Sequence, residues 1–163
     1  MTDNAVQLID FDEYLKTLES DPAKEADFLL LTCMDFRFFL KISEKMKGKK
    51  YDHVILAGAA LGVVGGNDHW HETFFDHLKL AIELHKIHTV IVMEHRGCGA
   101  YGPPPGFDLL PDKPDPETER VVHCQQVMKL RAQIGDKYPD LDFCSFLLDV
   151  PDPTQDPTFD QLD

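Results

Sequence analysis

The sequence predicts an α/β fold: a three-layer sandwich with a central, mainly parallel sheet and helices on both faces. Three observations carry this reading. Residues 28–34, 53–57, 89–95 and 142–150 form short, largely apolar runs of the length of buried strands. Between them lie segments with apolar residues three and four apart, the period of a helix packed along one side. The two kinds of segment alternate along the chain, the order that a parallel sheet with crossover helices requires.

Each element has its own local argument. Residues 10–20 place Phe11, Tyr14, Leu15 and Leu18 at helical spacing, with Asp10 as N-cap. FLLLTCM (28–34) is short and continuously apolar, hence a strand buried on both faces. A helix follows over 38–50, closed by Gly48 and lysines, which suit a helix C-terminus. HVILA (53–57) reads as a second strand running into a loop rich in small residues, with Gly58, Gly62, Gly65 and Gly66. Residues 72–86 put Phe74, Leu78, Ala81, Ile82 and His85 on one helical face. TVIVMEH (89–95) is the third strand, 118–138 a long helix, and 142–150 the fourth strand. Residues 1–150 therefore make one domain. The acidic, proline-rich tail 151–163, with three prolines and four aspartates, is expected to be extended or disordered unless a partner holds it.

Composition narrows the partners. Of 163 residues 43% are hydrophobic, enough for one sizeable core. Twenty-nine acidic against 16 basic residues give a net charge of −13, which argues against nucleic acid or an anionic membrane, since both need a basic face. The N-terminal MTDNAVQLIDFDEYLK lacks the basic start and the apolar stretch of about 7 to 15 residues of a secretory signal. A cytoplasmic location is expected. There, four cysteines are thiols, metal ligands or core fillers rather than a disulfide framework.

The chemistry-bearing residues sit at strand ends. In an open α/β sheet, function collects outside the carboxyl ends of the strands where strand order reverses. The first strand ends in Cys33, Asp35 and Arg37, and the third in His95 and Cys98. If these strands are neighbours across the switch point, Cys33, His95 and Cys98 converge. Two thiolates and an imidazole suit Zn²⁺ and leave a fourth tetrahedral position open, the mark of a catalytic rather than a structural site. Asp35 is close enough in sequence to bind that metal or accept a hydrogen bond from its water, and Arg37 can hold Asp35 by a bidentate pair. Taken singly these residues are unremarkable: a lone cysteine is a common core filler, and Asp35 with Arg37 also fits an ion pair at a helix start. Their joint placement at two strand ends is what points to a metal.

The patterns Cys33-Met34-Asp35-Phe36-Arg37 and His95-Arg96-Gly97-Cys98, the latter followed by Gly99-Ala100-Tyr101, resemble those of the β-class carbonic anhydrases over roughly residues 28–135. The resemblance implies that Cys33, His95 and Cys98 are zinc ligands and that Asp35 and Arg37 form a catalytic dyad, with Asp35 a fourth ligand in a closed state. It further implies a strand order of 2-1-3-4 and a homodimer or higher oligomer with sites near the subunit interface. The activity it implies is reversible hydration of carbon dioxide to bicarbonate by hydroxide held on zinc. The chain departs from the family's R-N-A-G segment, having Ile55-Leu56-Ala57-Gly58-Ala59-Ala60-Leu61, and its dyad has the apolar neighbours Met34, Phe36, Phe38 and Phe39. Two alternatives accompany this reading: a zinc hydrolase of COS or CS₂ on the same site, and a zinc-binding regulatory protein without turnover.

Other clusters read as structural. Histidines 69 and 71 in NDHWHE fall at the opening of a helix, where Asn67 or Asp68 is expected to cap. His123, Cys124 and Cys144 are expected to pack, and PPPG (103–106) to form a rigid loop beside the site.

Overall fold

A computed structural model describes residues 9–17, 26–152 and 155–163. Its order is α1 (Phe11–Thr17), β1 (Phe28–Thr32), α2 (Phe36–Lys45), β2 (Tyr51–Ile55), α3 (Ala60–Gly65), α4 (Asp68–His85), β3 (Thr89–His95), α5 (Pro116–Lys137), β4 (Asp142–Asp149) and β5 (Thr158–Gln161). The sheet runs β2-β1-β3-β4-β5, parallel except for β5, which lies antiparallel to β4. The expected order is thus present, with one strand added at its edge.

Strand residues alternate between two apolar layers, as the period of two demands. Leu29, Leu31, Val90, Val92 and Leu147 pack against Val63 of α3, Phe74 and Leu78 of α4, and Val127 and Leu130 of α5. On the other face Phe28, Leu30, Ile91, Met93 and Phe146 meet Phe11 and Leu15 of α1 and Phe38 and Ile42 of α2. β1 and β3 are buried at every position, which is why their sequences read as continuous apolar runs. Among the described residues no helix is long and apolar enough to cross a membrane.

Local expectations are met where capping chemistry is explicit. The Asp10 carboxylate accepts from Glu13 N at 3.1 Å, and the Asn67 side chain from Trp70 N at 3.1 Å. Leu18, assigned to the first helix, lies outside the described residues. The loop of small residues is instead broken by α3. Its small side chains allow close approach: a Cβ on Gly62 would lie 2.5 Å from the Ala57 carbonyl oxygen.

The tail also has a more definite role than its composition foretells. Its residues Thr158–Gln161 are extended, and this chain's own sheet edge holds them as β5. Phe159 stacks on Phe11 with ring centroids 4.5 Å apart, and Leu162 is buried. The Asp163 carboxylate accepts from Ser145 N at 2.7 Å and Ser145 Oγ at 2.6 Å, and pairs with Arg131 at 3.0 Å. Proline composition dominates the tail, yet these apolar and charged anchors follow its last proline, Pro157.

Candidate metal centre

Parallel pairing of β1 with β3 aligns Leu31 with Val92 and Thr32 with Met93, so the two strand ends lie side by side. From β1 the chain crosses through α2 to β2 on one side, while β3 lies on the other. The crevice between β1 and β3 is therefore the switch point. Cys33 leaves the end of β1, His95 is the last residue of β3, and a left-handed Gly97 (φ 64°) turns the chain so that Cys98 faces back.

The three side chains meet. One ligand atom from each of Cys33, His95 and Cys98 lies within 4.8 Å of the other two, and the sulfurs are 3.8 Å apart. This group can hold a metal ion. The ring of His95 is fixed by Phe38, with centroids 4.4 Å apart, and by Nδ1, which donates to the Arg96 carbonyl at 2.9 Å. A carbonyl only accepts, so Nδ1 carries a proton, and in the neutral ring this leaves the lone pair on Nε2. That Nε2 is buried without a hydrogen-bond partner, a costly state for a polar atom unless a ligand satisfies it.

Charge is arranged to match. A hydrogen bond from Cys98, with further help from His95 and the Gly58 N–H at 3.3 Å, brings the Cys33 thiol down to about 4 against the pull of burial. The Cys33 thiolate and burial together push the Cys98 thiol up. Burial acts to lower His95, but the neighbouring Cys33 thiolate outweighs it and the net shift is upward.

Asp35 caps α2, accepting from Arg37 N at 3.1 Å. The same carboxylate takes Arg37 Nε at 2.9 and 3.1 Å and Nη2 at 2.6 Å, which holds it below the usual carboxylate range. Arg37 Nη2 also donates to the Gly97 carbonyl at 3.0 Å. Asp35 Oδ2 stands 3.9 Å from His95 Nε2, beside the three-residue group but outside it. The helix-start ion pair and the dyad geometry are therefore the same object.

Sequence reasoning missed several groups that shape the site. Gly58 aims its N–H at Cys33, and Glu119 accepts from Gly97 N at 2.6 Å. Glu94, wholly buried, accepts from Ala60 N at 2.8 Å, His123 Nδ1 at 3.0 Å and Tyr101 OH at 3.2 Å, tying α3, α5 and the loop after Cys98 together. His123 packs as expected, but with a polar partner 29 residues away that spacing does not disclose. Cys124 donates to the Leu162 carbonyl at 3.2 Å, and Cys144 is buried. Pro103 and Pro105 line a cavity of about 440 Å³ with Cys98 and Glu119, so the proline loop does border the turn between His95 and Cys98. The exposed His69 and Glu72 stand 4.0 Å apart on α4 as a surface pair.

No family model matches the sequence. The chain is 35% identical over 141 residues to an uncharacterized protein of Rickettsia bellii (strain RML369-C), spanning 83% of this chain and 81% of that one. It is 34% identical over 141 residues to an uncharacterized protein of Rickettsia conorii (strain ATCC VR-613 / Malish 7), covering 83% and 72%. Among solved structures it is similar to a carbonic anhydrase from Streptococcus mutans, with a TM-score of 0.57 and 15% identity over 94% of this chain and 97% of that one. A tetrameric β-carbonic anhydrase from Sordaria macrospora superposes with a TM-score of 0.52 and 12% identity, covering 84% and 81%. The chain belongs to one family with the two rickettsial proteins, and its fold is that of the β-carbonic anhydrases.

Proposed function

We propose that this protein is a zinc lyase that reversibly hydrates carbon dioxide to bicarbonate. The observation that carries the reading is the buried, partnerless His95 Nε2 grouped with two thiols beside a bidentate Asp35–Arg37 pair. The donor set fits zinc. A tetrahedron with Zn–S bonds of about 2.3 Å has an edge of about 3.8 Å, which equals the separation of the Cys33 and Cys98 sulfurs. Nitrogen and sulfur donors also favour zinc over the oxygen-seeking magnesium and calcium.

Cys33, His95 and Cys98 would hold the metal, which when bound would supply the Lewis acidity that lowers the pKa of water from 15.7 to about 7. The remaining work falls to the chain. Asp35, kept ionised by Arg37, accepts a hydrogen bond from the attacking water and orients its lone pair toward the substrate carbon. Arg37 holds Asp35 away from the ligand set, and the Gly97 carbonyl holds Arg37. One C–O bond forms as one C=O π pair of carbon dioxide moves onto its oxygen, water loses one proton to solvent, and bicarbonate leaves. Met34, 68% exposed, and Phe36, 86% exposed, flank Asp35 and give the approach an apolar character suited to a small linear molecule without charge.

That apolar approach also supports a second reading, hydrolysis of COS or CS₂ on the same residues. Stopped-flow assays of the zinc-loaded protein with CO₂, COS and CS₂ separate the two. Hydration of CO₂ well above buffer supports the first reading; turnover of COS or CS₂ alone supports the second, and turnover of none contradicts both. We also infer a homo-oligomer, because Met34, Phe36, Phe39 and Leu40, close together in sequence around the start of α2, are large apolar side chains left exposed. A cytoplasmic location fits four free thiols.

A further inference from the structure

Glu119 lies in the first turn of α5 and is only 6% exposed. A buried carboxylate is costly unless its oxygens are satisfied. Here each oxygen has a separate partner. Oε2 is 3.1 Å from Arg96 Nη1, whereas Oε1 accepts from the Gly97 N–H at 2.6 Å. Arg96 does not depend on Glu119 for neutralisation, since its Nε is 3.3 Å from Asp149 and its Nη1 also donates to the Pro116 carbonyl at 2.9 Å. The shorter bond goes to the ligand turn.

Gly97, at the tip of that turn, is left-handed and exposed, and a Cβ placed on it would meet no heavy atom within 4 Å. Its carbonyl accepts from Arg37 Nη2 at 3.0 Å, and the same nitrogen donates to Asp35 Oδ2 at 2.6 Å. A continuous line of charge-assisted contacts therefore runs from α5 through the turn between His95 and Cys98 to the start of α2.

We propose that Glu119 is a positioning residue for the Asp35–Arg37 pair: by clamping the Gly97 N–H it places the Gly97 carbonyl where it fixes Arg37 in its bidentate pose on Asp35. The catalytic consequence rests on the zinc-lyase reading; the positioning itself does not. Glu119 acts through Gly97 and Arg37 and touches no reacting atom.

The test is nuclear magnetic resonance of the folded protein as isolated, in wild type, Glu119→Ala, Glu119→Asp and the exposed control Glu117→Gln. Glu119→Asp keeps a carboxylate for Arg96 but is shorter by one methylene and falls short of Gly97. It answers the question if Glu119→Ala does not fold. In wild type the Gly97 amide proton is expected far downfield and the Arg37 Nε–H slow to exchange with solvent. Both Glu119 variants are expected to move the Gly97 signal upfield and to speed Arg37 Nε–H exchange about tenfold, the effect of losing one charge-assisted hydrogen bond. Glu117→Gln is expected to change neither. Wild-type exchange at Arg37 in a folded Glu119 variant overturns the proposal. Carbon dioxide hydration on the same zinc-loaded samples reads the other claim: an inactive wild type contradicts the lyase assignment while the Arg37 result stands.

Discussion

Asp35 does two jobs with one carboxylate, and substitution separates them. As N-cap it needs an oxygen acceptor, which asparagine also supplies; as partner of Arg37 it needs charge. Asp35→Asn is therefore expected to leave urea stability within about 0.5 kcal/mol of wild type while lowering kcat/KM for hydration about a hundredfold. Equal loss of stability and activity would mean that Asp35 serves only the helix. Cys33 gives a pH-dependent prediction. With its pKa brought down to about 4, the metal-free protein should carry one thiolate at pH 6, visible as ultraviolet thiolate absorbance and absent from Cys33→Ser. The sign follows from linkage: a depressed pKa stabilises the fold fully above the ordinary thiol value of 9.0, and the contribution shrinks as pH falls from there and is gone below about 4. A signal that appears only above pH 8 would contradict the assigned polarisation of the pair.

At the scale of elements, β5 converts a proline-rich tail into part of the sheet. Leu162 is 6% exposed and its amide donates to the Ser145 carbonyl at 3.1 Å. Leu162→Ala is expected to cost about 2–3 kcal/mol in urea unfolding; a loss below about 0.5 kcal/mol would mean that the strand is not docked in solution. The contrast with the other elements shows what a sequence discloses. β1 and β3 are legible because a strand buried on both faces must be apolar throughout, and α4 because its Asn67 cap and helical period agree. Cys33, Asp35, His95 and Cys98 are legible because each falls within three residues of a strand end, and Arg37 because it stands two residues beyond Asp35. α3 and β5 are hidden, since glycine and proline content reads as loop while the contacts that order them, Ala60 to Glu94 and Asp163 to Ser145, are distant in sequence. Glu119 is hidden for the same reason, standing 22 residues from the amide it clamps.

At the scale of the molecule, the sheet supplies the site and the surface around it supplies the argument for assembly. Leu40 is 71% exposed on α2 and Ile55 45% exposed on the edge strand β2, and Met34 and Phe36 are also exposed. Light scattering is expected to give at least twice the 18.5 kDa chain mass, and Leu40→Lys to shift it toward 18.5 kDa. A wild type that remains at 18.5 kDa at micromolar concentration would leave that surface without its assigned partner. In the proposed function, Cys33, His95 and Cys98 form one zinc site at which Asp35 directs hydration of carbon dioxide. Its most direct test is zinc content measured together with stopped-flow hydration in wild type, Asp35→Asn and Cys98→Ser. About one zinc per chain with turnover is expected in wild type, full zinc with little turnover in Asp35→Asn, and neither in Cys98→Ser. Undiminished zinc in Cys98→Ser, or a zinc-loaded wild type that hydrates no faster than buffer, would contradict it.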